Sequence, residues 1–101
     1  MRQLLETNHA AIRSACARYG VKRLTVFGSV LTERFDQSRS DVDFLVEFRE
    51  DVPDLFDAYF GLKEELQSVL GRPVDLIAPA ALENPYFAAS FRENAKELYA
   101  A

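Results

Sequence analysis

The eight residues DVDFLVEF, positions 41 to 48, constrain this chain more than any other stretch. Val42, Phe44, Leu45, Val46 and Phe48 form a nearly continuous apolar run, the pattern of a strand covered on both faces over its middle. Such a strand requires a sheet with helices packed on it. Yet the run opens with two carboxylates, Asp41 and Asp43, one residue apart. Alternate strand residues project to the same side, so both leave one face about 7 Å apart along the backbone. Two converging carboxylates repel, and the outcome is either a raised pKa for one of them or a bound divalent cation. Mg²⁺ suits such a place, because it takes hard oxygen ligands and typically one or two carboxylates together with substrate phosphates.

The flanking segments supply the rest of a small α/β (α+β) domain, a mixed sheet with helices against it. Leu4, Leu5, Ile12, Ala15, Cys16 and Tyr19 predict one helix over residues 3 to 19, stopped by Gly20. VKRLTVF, 21 to 27, is a short strand that breaks at Gly28-Ser29. VLTERF follows as a helix of about two turns, and DQSRS has turn chemistry. Pro53 suits a first helical turn, and the spacing of Leu55, Phe56, Tyr59, Leu62, Leu66, Val69 and Leu70 predicts a helix ended by Gly71. RPVDLIA is a third strand carrying Asp75. A last helix is expected from Asn84-Pro85, with Phe87, Phe91, Ala95 and Leu98 on one face. The order α-β-α-β-α-β-α has no repeat or linker, so one domain over 1–101 is expected.

Gly28-Ser29, at a strand-to-helix junction, offers a phosphate a close backbone approach, free N–H groups and a hydroxyl. Asp75 joins Asp41 and Asp43 if its strand lies beside theirs, and three aspartates around metal would suit an in-line phosphoryl or nucleotidyl transfer. Each feature has a plainer reading. Asp41 and Asp43 would be solvated carboxylates capping a turn, and Asp75 an edge-strand residue paired with Arg72. An EF-hand spacing over Asp36, Ser38, Ser40 and Glu47 fails, because Asp41 occupies the required glycine position and a strand replaces the exiting helix. No Gly-Lys-Ser/Thr follows Gly28, which excludes a P-loop. His9 reads as an exposed polar residue and Arg39 as a solvated turn arginine. Phe56, Tyr59 and Phe60 read as core and partner-facing helix surface. Tyr86 and Tyr99 read as packing of the last helix.

Gly28-Ser29, an eleven-residue gap and then Asp41-Val-Asp43 on an apolar strand resemble the signature of the DNA polymerase β-type nucleotidyltransferase superfamily. The chain is most similar to its shortest members, the minimal nucleotidyltransferases (MNT). The likeness runs from VKRLTVFGS through SDVDFLVEF to GRPVDLIAP, and NPYFAASFRENAKELYA resembles their C-terminal helix. It implies a nucleotidyltransferase fold, Mg²⁺ held by Asp41 and Asp43, and Asp75 as third ligand or as base for the acceptor hydroxyl. It implies triphosphate binding by Gly28 and Ser29, with ATP as donor. Two departures bear on the nucleotide pocket: the gap is one residue longer than the common ten, and Glu33 or a neighbour replaces a glycine common early in the next helix.

A single domain leaves no room for an acceptor-binding unit, so the acceptor is expected to be the surface of another protein. The resemblance implies a HEPN-domain RNase toxin encoded by an adjacent gene, AMP transfer to one of its tyrosines, and an antitoxin role. The alternatives are a binding module that blocks the toxin sterically, and a nucleotidyltransferase acting on a small hydroxylated molecule. A net charge of −4 argues against direct binding of a nucleic-acid backbone. No apolar run approaches a membrane span, and the single cysteine, Cys16, leaves a reduced, cytoplasmic setting as the default.

Overall fold

The computed structural model describes residues 2–27 and 41–101. Gly28, Ser29, the short helix expected after them and the DQSRS turn lie outside the described residues. Along the chain come α1 (Arg2–Thr7), α2 (His9–Arg18), β1 (Val21–Phe27), β2 (Val42–Phe48), α3 (Leu55–Leu70) and β3 (Val74–Ile77). A 3₁₀ turn (Pro79–Glu83), α4 (Pro85–Glu93) and β4 (Lys96–Ala100) complete it.

The strands form one mixed sheet in the order β3-β2-β1-β4. β1 is antiparallel to both β2 and β4, whereas β2 and β3 are parallel and joined through α3. The core lies between one sheet face and the first three helices. Leu24, Val26, Val42, Phe44, Val46, Val74 and Leu76 meet Leu5, Ile12, Ala15, Cys16, Leu62, Leu66 and Leu70 there. A register shift between Val21 and Arg23 breaks strict alternation in β1, so Val21 and Leu24 both reach the core while Lys22 and Arg23 stay exposed.

Three sequence expectations are corrected. The first helix is two helices, because the Asn8 side-chain amide donates to the Leu4 carbonyl (2.8 Å) and competes with backbone pairing at that turn. The long helix starts at Leu55 rather than near Pro53, because the Asp54 carboxylate caps it by accepting from Asp57 N–H (3.1 Å). Its end is as expected: Gly71 takes a left-handed φ of 69° and donates to the Gln67 carbonyl at 2.8 Å.

The largest correction is the tail. α4 stops at Glu93, and the residues that carried the expected helix onward form β4. The i+7 spacing of Phe91 and Leu98 fits a helix, but the other edge of β1 needs a partner. Residues 96 to 100 supply its ladder, and Leu98 is thereby buried in the main core rather than beside Phe91.

Candidate active site

Asp43 is the second residue of β2, and the register sets Phe27 of β1 opposite it on one side and Asp75 of β3 on the other. Residues paired across neighbouring strands project to the same side. Phe27, Asp43 and Asp75 therefore form a row on the sheet face away from the main core, one residue out of phase with the buried row of Val26, Phe44 and Leu76. α4 covers the Phe27 end of this row. The Phe27 ring stands edge-on to Phe87 at 5.4 Å and to Phe91 at 5.2 Å between centroids.

This placement gives Asp43 two unlike neighbours. Phe27 is a buried apolar ring under an aromatic cover, and Asp75 adds a negative charge. Asp43 is half-buried, while Asp41, just before the strand, and Asp75 are exposed. Burial, then the charges of Asp75 and Asp41, then a hydrogen bond with the Asp75 side chain push the Asp43 carboxyl up to about 6.

Asp75 owes its position to α3. β3 is a four-residue edge strand, and helix side chains tie down its outer backbone: Val74 N–H donates to Gln67 Oε1 (3.1 Å) and Tyr59 O–H to the Leu76 carbonyl (3.0 Å). On its inner side Val42 N–H donates to the Pro73 carbonyl at 3.0 Å, which starts the pairing that sets Asp75 against Asp43. Sequence reasoning missed Gln67, Tyr59 and Phe27 as supports of the site. Helical spacing marks the face on which Tyr59 lies but not where its hydroxyl reaches.

Of the expected site residues, the fold brings Asp43 and Asp75 together, with Asp41 near enough to act on Asp43 by its charge. Among the described residues no group of three His, Cys, Asp or Glu side chains is arranged to hold a metal ion. What is present is a carboxylate pair with a third charge alongside. That fits the mode in which one or two carboxylates bind Mg²⁺ and phosphates and water complete the shell. Gly28 and Ser29, which follow Phe27 directly in sequence, lie outside the described residues. His9 is exposed, with Nε2 at 3.2 Å from the Leu98 carbonyl, and takes no part in the row. Tyr86 is exposed and Tyr99 half-buried on β4. No helix of the described residues is long and apolar enough to cross a membrane.

The model of the nucleotidyltransferase domain family matches residues 10–98. A protein of Methanocaldococcus jannaschii, provisionally named a protein adenylyltransferase, is 39% identical over 77 residues, 76% of each chain. The protein adenylyltransferase MntA of Thermococcus cleftensis is 39% identical over 67 residues, covering 66% of this chain and 65% of its own. A solved structure provisionally described as a minimal nucleotidyltransferase superposes with a TM-score of 0.72 at 33% identity, covering 91% of this chain and 90% of that one. The fold also recurs, at 20% identity and a TM-score of 0.63, in a complex of tri-AMPylated Shewanella oneidensis HEPN toxin with MNT antitoxin, over 95% of this chain and 72% of that one. The family match spans all three strands of the Phe27, Asp43 and Asp75 row, and the chain belongs to the nucleotidyltransferase domain family, built on the plan of its minimal nucleotidyltransferases.

Proposed function

We propose that this chain transfers AMP from ATP to a tyrosine hydroxyl of a partner protein, a HEPN-type RNase toxin, and so acts as its antitoxin in the cytoplasm. The observation that carries this reading is the Asp43–Asp75 pair, held in register at one end of the sheet, where burial and the Asp75 charge push the Asp43 carboxyl up. The names of its relatives, protein adenylyltransferases among them, support the reaction class.

In this reading Asp41, Asp43 and Asp75 hold Mg²⁺, and Gly28 and Ser29 hold the triphosphate. When bound, the ion supplies the positive charge that offsets the carboxylates and the phosphates. Asp43, half-buried and fixed in a strand, is the rigid member of the set. Asp75 is exposed on an edge strand, where an incoming hydroxyl can meet it. It accepts the hydroxyl proton while the oxygen bonds to the α-phosphorus. The bond from that phosphorus to the bridging oxygen breaks in line, and pyrophosphate leaves.

The test is to incubate the chain with ATP, Mg²⁺ and the protein encoded beside it, then weigh both proteins by mass spectrometry. One or more adenylyl groups on a partner tyrosine, absent with Asp43→Asn, is the expected result. An unmodified partner in the presence of folded wild-type chain would sink the reading.

One observation favours a second reading, neutralisation by binding alone: Leu55, Phe56 and Phe60 on the first turns of α3 are exposed and offer a contact surface that involves no chemistry. Under it, Asp41→Asn with Asp43→Asn leaves the partner both bound and neutralised.

A further inference from the structure

The end of the sheet opposite the Asp43–Asp75 pair carries an apolar surface that the proposed chemistry does not use. Leu55, Phe56 and Phe60, on the first turns of α3, are 56%, 74% and 45% exposed. Phe56 and Phe60 lean on each other with centroids 4.6 Å apart, and Tyr59 meets Phe60 edge-on at 5.1 Å. Beside them runs a groove of about 500 Å³ whose floor includes Val46, Phe48, Val52, Leu55 and Pro79. Scattered exposed apolar residues need no explanation, but a contiguous aromatic patch opening into an apolar groove marks a contact surface.

The rim is acidic. Glu47 and Glu50 line the groove with Arg49 between them, and Asp51, Asp54 and Asp57 line the adjoining hollow around the start of α3. Arg49 pairs with Asp51 (3.1 Å) and Lys22 with Glu47 (4.0 Å), so these five carboxylates outnumber the two cations and the rim is negative. Such a surface fits an apolar ridge flanked by lysine or arginine, and repels a second copy of the same acidic patch.

We propose that this face is the docking surface for the partner protein, which seats apolar side chains against Phe56, Phe60 and the groove and sets basic residues against the rim. The inference rests on the reading that the acceptor is a protein. It adds a geometric condition. Asp43 and Phe48 are five residues apart on β2, so the dock lies about 17 Å from the carboxylate pair. The partner is therefore held at one end of the sheet and presents its tyrosine on an extended segment that reaches the other.

The experiment measures complex formation apart from transfer. The chain and the protein encoded beside it are titrated by calorimetry at low and high salt, with Phe56→Asp, Asp57→Lys and Asp43→Asn compared to wild type. Thermal unfolding confirms that each variant is folded. Phe56→Asp should weaken binding at least thirtyfold, the scale of an interfacial hot spot (~2 kcal/mol). Asp57→Lys should weaken it severalfold, with a reduced salt dependence, and Asp43→Asn should bind like wild type while losing transfer. Wild-type binding by folded Phe56→Asp overturns the docking surface, and if transfer persists the proposed function still stands. No binding by folded wild-type chain overturns the docking surface, whereas the proposed function falls only if the partner is also left unmodified. Sedimentation that shows a wild-type dimer and a monomeric Phe56→Asp also overturns it, because a second copy then covers the patch.

Discussion

Asp43 and Asp75 face each other across neighbouring parallel strands, in direct register, with the ring of Phe27 on the far side of Asp43. Removing one charge should separate function from stability. Asp43→Asn is expected to lower AMP transfer by at least a hundredfold, on the scale seen when one electrostatic group is deleted from an active site (~10²–10³). The same change relieves repulsion. In chelator at neutral pH it should raise stability by about 1 kcal/mol, a figure discounted for the solvent reaching a half-buried group. That is a melting temperature several degrees higher by calorimetry; a lower one would give Asp43 a structural role instead.

The pH dependence has a definite sign. The folded protein holds the Asp43 proton more tightly than the unfolded chain, with a pKa of about 6 against 3.8. Its contribution therefore favours folding at low pH and is lost as pH rises through about 6. Without metal, the stability gap between Asp43→Asn and wild type should be widest above pH 6 and close toward pH 4. Following both melting temperatures across that range, in chelator, checks it.

Cys16 sits in the main core with no exposed surface, and burial pushes its thiol up to about 12. A thiolate is needed for attack on a disulfide reagent, so the native protein should not react. Colorimetric thiol titration should read zero until denaturant unfolds the chain, then one equivalent. Rapid native labelling would contradict this packing of α2.

Asn84 caps α4 by accepting from Tyr86 N–H (2.9 Å) and Phe87 N–H (3.2 Å). Asn84→Ala should cost about 1 kcal/mol, measured by urea unfolding. Phe87 also packs against Phe27, so the loss should disturb the aromatic cover of the carboxylate row, visible as shifts in the Phe27 ring resonances.

Local rules recovered much of this molecule. The nearly continuous apolar run of residues 42 to 48 marked a central strand, Gly71 the end of α3 and Asn84 the start of α4. Each of these is settled by a few adjacent residues: burial on both faces, a left-handed φ, a side-chain acceptor for free N–H groups. The same rules failed at Asn8, where one amide diverts a helix carbonyl, and at residues 96 to 100. There helical spacing lost to the unpaired edge of β1, a demand made by a strand some seventy residues earlier.

The site divides along the same line. By itself the sequence determined that Asp41, Asp43 and Asp75 stand at the starts of apolar strands, because residue order fixes that. Only the tertiary structure decided that Asp75 lies opposite Asp43, since register depends on α3 crossing back and on Gln67 and Tyr59 holding the edge strand. It also decided that Phe27, packed against Phe87 and Phe91, stands opposite Asp43 on its other side. A carboxylate's charge is written in the sequence, but the energy of that charge belongs to neighbours that meet it only when the sheet forms.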